Sequence, residues 1–182
     1  MTSATLENSN TISTLNPILY SLFAKACYLK QVNNENEHYE IAQDALEKWA
    51  KQIFKLNATN WQVLNVNGNE ENGVGTAWGG FAAVAYKNNL TNEIVIAYRG
   101  TDSPLDILIS DGQIAFNLKP QQASAAVNFY EKVLAENEDC SISITGHSLG
   151  GALAQYVASL KHVPATTFNA PGMLNLLNKL DA

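Results

Sequence analysis

One serine in this sequence has neighbours that suit it to nucleophilic chemistry. Gly146 and Gly150 flank Ser148 at minus two and plus two, which gives the pattern G-x-S-x-G. In a bend that sharp, a Cβ at either glycine position would collide with the neighbouring backbone. The pattern therefore predicts a hydroxyl group held at the apex of a tight turn, in a sparsely populated backbone conformation of the kind found at active sites.

The elements that must position this hydroxyl flank it on both sides. Residues 141–144 have strand composition, and the residues after the turn place apolar side chains at helical spacing: Leu153, Tyr156, Val157 and Leu160. Gly151 adds room for close packing of the helix on the sheet. Backbone N–H groups at the start of such a helix favour developing negative charge. The alternative is a glycine-rich turn between strand and helix that has no chemical role.

Three stretches of the chain resemble the class 3 (fungal-type) lipases of the α/β-hydrolase superfamily, and their bacterial relatives more closely still. Residues 145–154 are similar to the nucleophile elbow of that family. Residues 96–101 are similar to the strand that ends in its Arg-Gly-Ser/Thr oxyanion turn, and residues 167–172 to the strand end that follows the elbow helix. The likeness extends over residues 79–172.

This resemblance implies an α/β fold, with a mostly parallel sheet flanked by helices and with no metal or cofactor at the site. Ser148 would attack an ester carbonyl to form an acyl-serine, while the N–H groups of Thr101 and Leu149 hold the oxyanion. Losing one such donor typically costs about a hundredfold to a thousandfold in rate. Four neighbours would support the elbow: Gly146, His147, Gly150 and Gly151.

The partners that a nucleophilic serine requires are missing from the expected place. Serine needs a histidine to accept its proton and a carboxylate to orient that histidine, and in this superfamily both follow the serine. The 34 residues after Ser148 contain one histidine, His162, and one acid, Asp181. His162 falls about 20 Å away, at the far end of the next helix. His147 leaves the turn in another direction, and His38 lies in a predicted loop far upstream.

We therefore expect the chain to be truncated before its catalytic Asp and His, and to lack the last strands of the sheet. Two other interpretations stay open: a lipase-like scaffold that binds acyl ligands or a partner without turnover, and half of a site that another polypeptide completes. All three predict an exposed sheet edge that favours association. An acyltransferase is a further alternative, because an acyl-serine can pass its acyl group to an alcohol.

Length and composition describe one ordinary domain. The 182 residues are 46% hydrophobic and 15% charged, which predicts a flexible tail over residues 1–14 and a single, partial domain over residues 15–182. The net charge of −6 argues against nucleic-acid binding, and any transient contact with a lipid surface should use apolar groups. Cys27 and Cys140 are predicted to be buried thiols rather than a disulfide pair.

No stretch predicts a transmembrane helix, because the richest apolar run, residues 17–29, is short and contains Lys25. The first fifteen residues are polar and carry no positive charge, unlike a secretory signal. These features predict a cytoplasmic protein or one exported without an N-terminal signal peptide. The expected partner is a small acyl-ester or lipid substrate.

Local signals predict elements before the elbow. Asn16 followed by Pro17 predicts the start of a first helix. A second helix is predicted to precede a strand over residues 61–66, and residues 80–86 and 93–98 predict a β-hairpin.

The segments closer to the elbow give further predictions. Pro104 predicts the start of a short helix with Leu105, Leu108 and Ile109 on one face, which is either a lid over the site or a packed surface helix. Residues 120–137 predict an amphipathic helix, residues 164–168 a strand, and residues 171–180 a final short helix.

Overall fold

The computed structural model describes residues 16–28, 35–54, 58–67, 81–100, 107–110, 113–116 and 120–172. The predicted tail, Thr101 and residues 173–182 lie outside these ranges. The helices are α1 (Pro17–Ala26), α2 (Glu35–Trp49), α3 (Pro120–Ala135) and α4 (Leu149–Lys161), and a π-helical turn, Ala50–Phe54, follows α2. The strands are β1 (Trp61–Asn67), β2 (Ala83–Asn88), β3 (Glu93–Tyr98), β4 (Ile107–Ser110), β5 (Gln113–Phe116), β6 (Ser141–His147) and β7 (Ala165–Phe168).

Five of these strands form one sheet in the order β1-β2-β3-β6-β7. β1 and β3 each run antiparallel to β2, while β3, β6 and β7 are mutually parallel. Four of the five strands therefore point the same way, and only β2 is reversed. The predicted hairpin is β2 and β3, and the predicted mostly parallel α/β sheet with flanking helices is confirmed. β7 stands at one end of this strand order.

The side chains of β3 alternate between two hydrophobic cores, one on each face of the sheet. Ile94, Ile96 and Tyr98 pack on the side of α3 and α4, whereas Val95 and Ala97 pack on the side of α1 and α2. All of these side chains are buried. Because successive residues of a strand point to opposite faces, an uninterrupted apolar run is what a strand covered on both sides requires. The described residues thus form three layers, with the sheet between two pairs of helices.

The first helix starts where the sequence predicts, and it packs firmly on the sheet. The Asn16 side chain accepts the Ile18 N–H at 2.9 Å, with Pro17 in the first turn. Further along α1, the buried Tyr20 hydroxyl donates to the Ser143 hydroxyl oxygen of β6 at 2.8 Å. A hydrogen bond in a buried setting helps to fix the position of α1 over β6.

The short helix predicted from Pro104 is wrong where the structure describes that segment. Residues 107–110 form β4, which pairs antiparallel with β5 in a separate two-stranded sheet. The connecting residues are Asp111-Gly112, a dipeptide that favours a tight hairpin when alternating apolar residues flank it. Residues 107–109 are a continuous apolar run, which fits a strand as well as a helix, and pairing with β5 decides for the strand. The lid role of this segment stays a prediction.

Two sequence expectations about the cysteines and membranes can be compared with the structure. Cys27 is buried and Cys140 is half-buried, and the two are not joined in a disulfide. In the part of the chain that the structure describes, no helix combines the length and the apolar character needed to cross a bilayer.

The first turn of α4 lies very close to the ends of β3 and β6. A Cβ on Gly150 would stand 2.1 Å from the Tyr98 carbonyl oxygen, and a Cβ on Gly146 would stand 2.3 Å from the Gly150 carbonyl oxygen. Gly151 is similarly confined, because a Cβ there would lie 2.6 Å from the Cβ of Ala170. Only residues without a side chain allow the helix to start this close to the sheet.

Two buried tyrosines differ in whether their hydroxyl groups are hydrogen-bonded, so they allow the contribution of one hydrogen bond to stability to be measured. The Tyr98 hydroxyl donates to the Ala126 carbonyl at 2.9 Å, whereas the Tyr86 hydroxyl has no partner among the described residues. Burial raises the pKa of both phenols well above the ordinary value, so both are protonated at neutral pH. We expect Tyr98→Phe to lower the free energy of unfolding by about 1 kcal/mol, and Tyr86→Phe to leave it unchanged or raise it. Urea denaturation of the two variants measures this, and equal losses would contradict it.

The close approach of α4 to the sheet predicts that alanine substitution destabilises the protein strongly at one glycine and hardly at all at another. We expect Gly150→Ala to lower the free energy of unfolding by about 3 kcal/mol or more, because the new Cβ would meet backbone rather than a movable side chain. Gly172→Ala is the matched control, since its Cβ would meet no described atom within 4 Å. Thermal and urea unfolding should show no loss for the control. A Gly150→Ala protein as stable as the control would refute the close contact.

Candidate active site

Ser148 occupies the apex between β6 and α4 in a strained backbone conformation. Its φ is 57° and its ψ is −127°, outside the regions that residues with a Cβ normally populate. Such a conformation costs of order 1–3 kcal/mol and persists only where the surrounding structure imposes it. Here the contact of Gly150 with the Tyr98 carbonyl oxygen and the pairing of β6 between β3 and β7 impose it.

The Ser148 side chain does not cap the helix that it precedes. A serine at the N-cap position ordinarily accepts a hydrogen bond from an early N–H of the helix. The Ser148 hydroxyl makes no such bond, although its backbone N–H donates to the Phe168 carbonyl at 3.0 Å. The backbone of Ser148 is therefore held by β7, while the residue is half-exposed and lines a cavity.

The helix start beside Ser148 supplies backbone donors. Leu149 is the first residue of α4 and its side chain is buried. The first N–H groups of a helix have no acceptor within the helix, and no described carbonyl accepts the Leu149 N–H. The positive end of the helix dipole lies at the same place. This arrangement can stabilise an anionic oxygen next to the Ser148 hydroxyl.

Thr101, the other predicted donor, lies outside the described residues, but the residue before it is described. In the register of the sheet Tyr98 lies opposite Gly146, which brings the end of β3 beside the turn after β6. A Cβ placed on Gly100 would stand 3.4 Å from the Ser148 Cβ. The segment after β3 therefore passes next to Ser148 at Gly100, and the oxyanion role of Thr101 stays a prediction.

Tyr28 belongs to this site, and sequence reasoning missed it. The Gly100 N–H donates to the Tyr28 hydroxyl oxygen at 3.2 Å, and the same oxygen lies 3.5 Å from Nδ1 of His147. Tyr28 therefore joins the segment after α1 to the ends of β3 and β6. These partners are 72 and 119 positions away in the chain, so no local pattern could have indicated the contact.

A cavity of about 520 Å³ lies in front of the Ser148 hydroxyl. Its described lining comes from α1 and the segment after it on one side, and from the ends of β6 and β7 on the other: Ser21, Ala24, Lys25, Tyr28, His147, Ser148 and Phe168. Ligands in α/β folds bind outside the carboxyl ends of the strands, which is where this cavity lies. Its size and mixed lining suit a small organic ligand.

No described histidine is placed to accept the Ser148 proton by the usual geometry. His162 ends α4 in a left-handed conformation, with φ 55°, at the opposite end of the helix from Ser148. His147 is exposed and its ring faces Tyr28. His38 lies within α2 rather than in the loop that the sequence suggested. Among the described residues that line the cavity there is also no carboxylate.

The described residues offer no metal centre. No group of three or more His, Cys, Asp or Glu side chains among them could hold an ion. Around the start of α4, the described residues provide one hydroxyl, backbone donors and a mixed cavity.

Some known proteins resemble part of this sequence, and others resemble its fold. Over 62 residues the chain is 52% identical to the candidate lipase ATG15 of Eremothecium gossypii, a match that covers 34% of this chain and 11% of that protein. The lipase from Rhizopus microsporus var. chinensis matches the fold with a TM-score of 0.58 at 15% identity, over 91% of this chain and 61% of that one. The Lip2 lipase of Yarrowia lipolytica gives a TM-score of 0.50 at 16% identity, over 88% and 62%.

These likenesses differ in what they establish. The chain spans less than two thirds of the two lipase structures, and its match covers about a tenth of the curated relative. The two structural matches show a shared α/β-hydrolase-like fold. A family model, described as Phospholipase-like, Tle-like phospholipase domain, matches residues 21–178, which is most of the sequence. The chain therefore belongs to the family of Tle-like phospholipase domains, within the lipase-like α/β-hydrolase folds.

Proposed function

We propose that this chain carries the nucleophile of a serine hydrolase that cleaves acyl esters of lipids. Ser148 would attack the ester carbonyl to form a tetrahedral intermediate, which would expel the alcohol and leave an acyl-serine. Water would then hydrolyse the acyl-serine, which releases the acid and restores the serine. The proposal goes beyond family membership, because it names the reacting atom and the covalent intermediate.

The observation that carries the proposal is the strained backbone of Ser148 at the mouth of a cavity. Strain of this size is tolerated at functional sites because it places a side chain where relaxed geometry would not. A structural N-cap serine ordinarily accepts a hydrogen bond from an early N–H of the helix, and Ser148 makes no such bond. The bend therefore serves the exposure of the hydroxyl to the cavity rather than the stability of α4.

The neighbouring backbone supports the charge that the attack would create. A carbonyl under attack becomes an oxyanion, which preorganised N–H donors stabilise more strongly than they stabilise the ground state. The Leu149 N–H at the start of α4 is one such donor, and the predicted second donor is the N–H of Thr101, one residue beyond Gly100. The hydrogen bond from the Gly100 N–H to Tyr28 would hold that turn in position.

The proton of Ser148 still requires an acceptor. A histidine and an orienting carboxylate complete such a site in related chemistry, and the described residues place neither beside Ser148. We propose that both come from residues outside the described part of the protein or from a partner. An oxyanion site alone can still exceed the rate in water by about a thousandfold.

The substrate class follows from the names of the matching proteins and from the cavity. The description of the matching family model names a phospholipase domain, and the matched relatives are described as lipases. The cavity joins the apolar groups of Ala24 and Phe168 to several polar side chains. An acyl ester of a glycerolipid has an apolar chain next to a polar head group, and it fits this lining.

A binding module without turnover is the second candidate, and the missing proton acceptor favours it. Such a module would use the same cavity to hold an acyl ligand or a partner segment. It predicts binding that is insensitive to removal of the Ser148 hydroxyl.

Labelling with a fluorophosphonate separates the two candidates. We expect the probe to attach to Ser148 during long incubation, because the hydroxyl lies at a cavity and at a helix N-terminus. Ser148→Ala should abolish the adduct, as detected by mass spectrometry. Ser141→Ala is the matched control, since Ser141 is an exposed serine at the other end of the same strand, and it should leave labelling unchanged. Equal labelling of all three proteins would remove Ser148 from the mechanism.

The strain at Ser148 makes a separate prediction about stability. Glycine adopts positive φ without the penalty that alanine incurs, so Ser148→Gly should exceed Ser148→Ala in free energy of unfolding by about 1 kcal/mol. Ser159, exposed on α4, provides the control pair. There the order should reverse, with alanine better than glycine by about 1 kcal/mol. Urea denaturation of the four variants tests this, and the same order at both positions would contradict the strain.

A further inference from the structure

The cavity in front of Ser148 has a single charged side chain in its described lining, the ammonium of Lys25. Lys25 lies in the last turn of α1 and its side chain is exposed. Since Ser148 lies across the same cavity, a ligand that places an ester at the hydroxyl would bring its remaining groups within the neighbourhood of this cation.

Two aromatic rings position the Lys25 ammonium. It lies 4.9 Å from the centroid of the Trp49 ring and 5.7 Å from the centroid of the Tyr28 ring. Attraction between a cation and the face of an aromatic ring orients the ammonium without neutralising its charge. Tyr28 in turn accepts the Gly100 N–H, so the same ring links the cation to the turn beside Ser148.

The Lys25 ammonium has no acidic partner among the described residues. No carboxylate of the described residues lies within ion-pair distance of its ammonium, although the whole chain carries a net charge of −6. In an acidic protein, a lysine that lines a cavity without an acidic partner is a local site for an anion.

We propose that Lys25 is the specificity-determining residue for an anionic phosphodiester in the head group of the lipid substrate. The inference rests on the proposed function in one respect, which is that this cavity holds the substrate. An ammonium binds a phosphate oxygen through charge-assisted hydrogen bonds. In a glycerophospholipid the phosphodiester and the acyl esters share one glycerol unit, so a single molecule can offer an ester to Ser148 and a phosphate to Lys25.

Equilibrium binding tests the proposal without requiring turnover. The probes are dihexanoylphosphatidylglycerol and dihexanoylglycerol, which have the same acyl chains and differ in the phosphodiester head group. Isothermal titration calorimetry on the Ser148→Ala protein gives the ratio of their dissociation constants. We expect Lys25→Gln to reduce the preference for the phospholipid about five- to tenfold, because one charged contact is lost. Lys25→Arg, which keeps the charge, should retain most of the preference.

A surface-charge control separates a specific contact from general attraction. Lys132→Gln removes the same charge from an exposed lysine on α3, on the other face of the sheet, and it should not change the ratio. If Lys25→Gln leaves the ratio unchanged, or if Lys132→Gln lowers it equally, the proposal is wrong. If deacylated glycerophosphoglycerol binds as tightly as the lipid, the site recognises free phosphate esters and the lipid assignment is overturned.

The binding experiment and the labelling experiment test different proposals, so one can fail while the other succeeds. Labelled Ser148 with a ratio that does not depend on Lys25 refutes the anion site and leaves the hydrolase proposal in place. A ratio that depends on Lys25 in a protein whose Ser148 is never labelled supports the anion site and favours the binding module.

Discussion

The close contact between the first turn of α4 and the ends of β3 and β6 is the constraint on which the rest of the structure depends. Gly150 lies against the Tyr98 carbonyl oxygen with no room for a Cβ, so the chain must reverse within the residue before α4. Ser148 absorbs that reversal at a φ of 57°. In this bend the Ser148 hydroxyl makes no capping hydrogen bond to α4, and no carbonyl of the described residues accepts the Leu149 N–H. A packing requirement thereby produces the geometry on which the proposed reaction depends.

The second wall of the site depends on the opposite face of the sheet. α1 packs there through a buried apolar stripe and through the hydrogen bond from Tyr20 to Ser143. That docking carries Lys25 and Tyr28 to the cavity in front of Ser148. The two hydrophobic cores therefore hold different walls of the cavity. The core around α4 positions Ser148, and the core around α1 positions Lys25 and Tyr28.

The described part of the protein contains some of the features that the proposed hydrolase mechanism requires and lacks others. It contains a strained serine, backbone donors and a cavity with one lysine ammonium, and it places no histidine or carboxylate where the serine proton could go. The chain belongs to a phospholipase-like family and shares its fold with a lipase. The proposed hydrolase and the proposed binding module differ only in whether a proton acceptor is supplied from elsewhere.

The sequence alone determined what depends on neighbours a few positions apart. The cap at Asn16, the hairpin of β2 and β3, and the strand, turn and helix around Ser148 all follow from local spacing. The same reasoning was wrong at residues 107–110, where an apolar run fitted two periods and the Asp111-Gly112 signal was overlooked. Tyr28 and Lys25 could not be assigned in advance, because their place at the site depends on how α1 docks on a sheet whose strands lie many residues away. Only the tertiary structure brings such distant residues together, since packing across layers is not encoded in any local pattern.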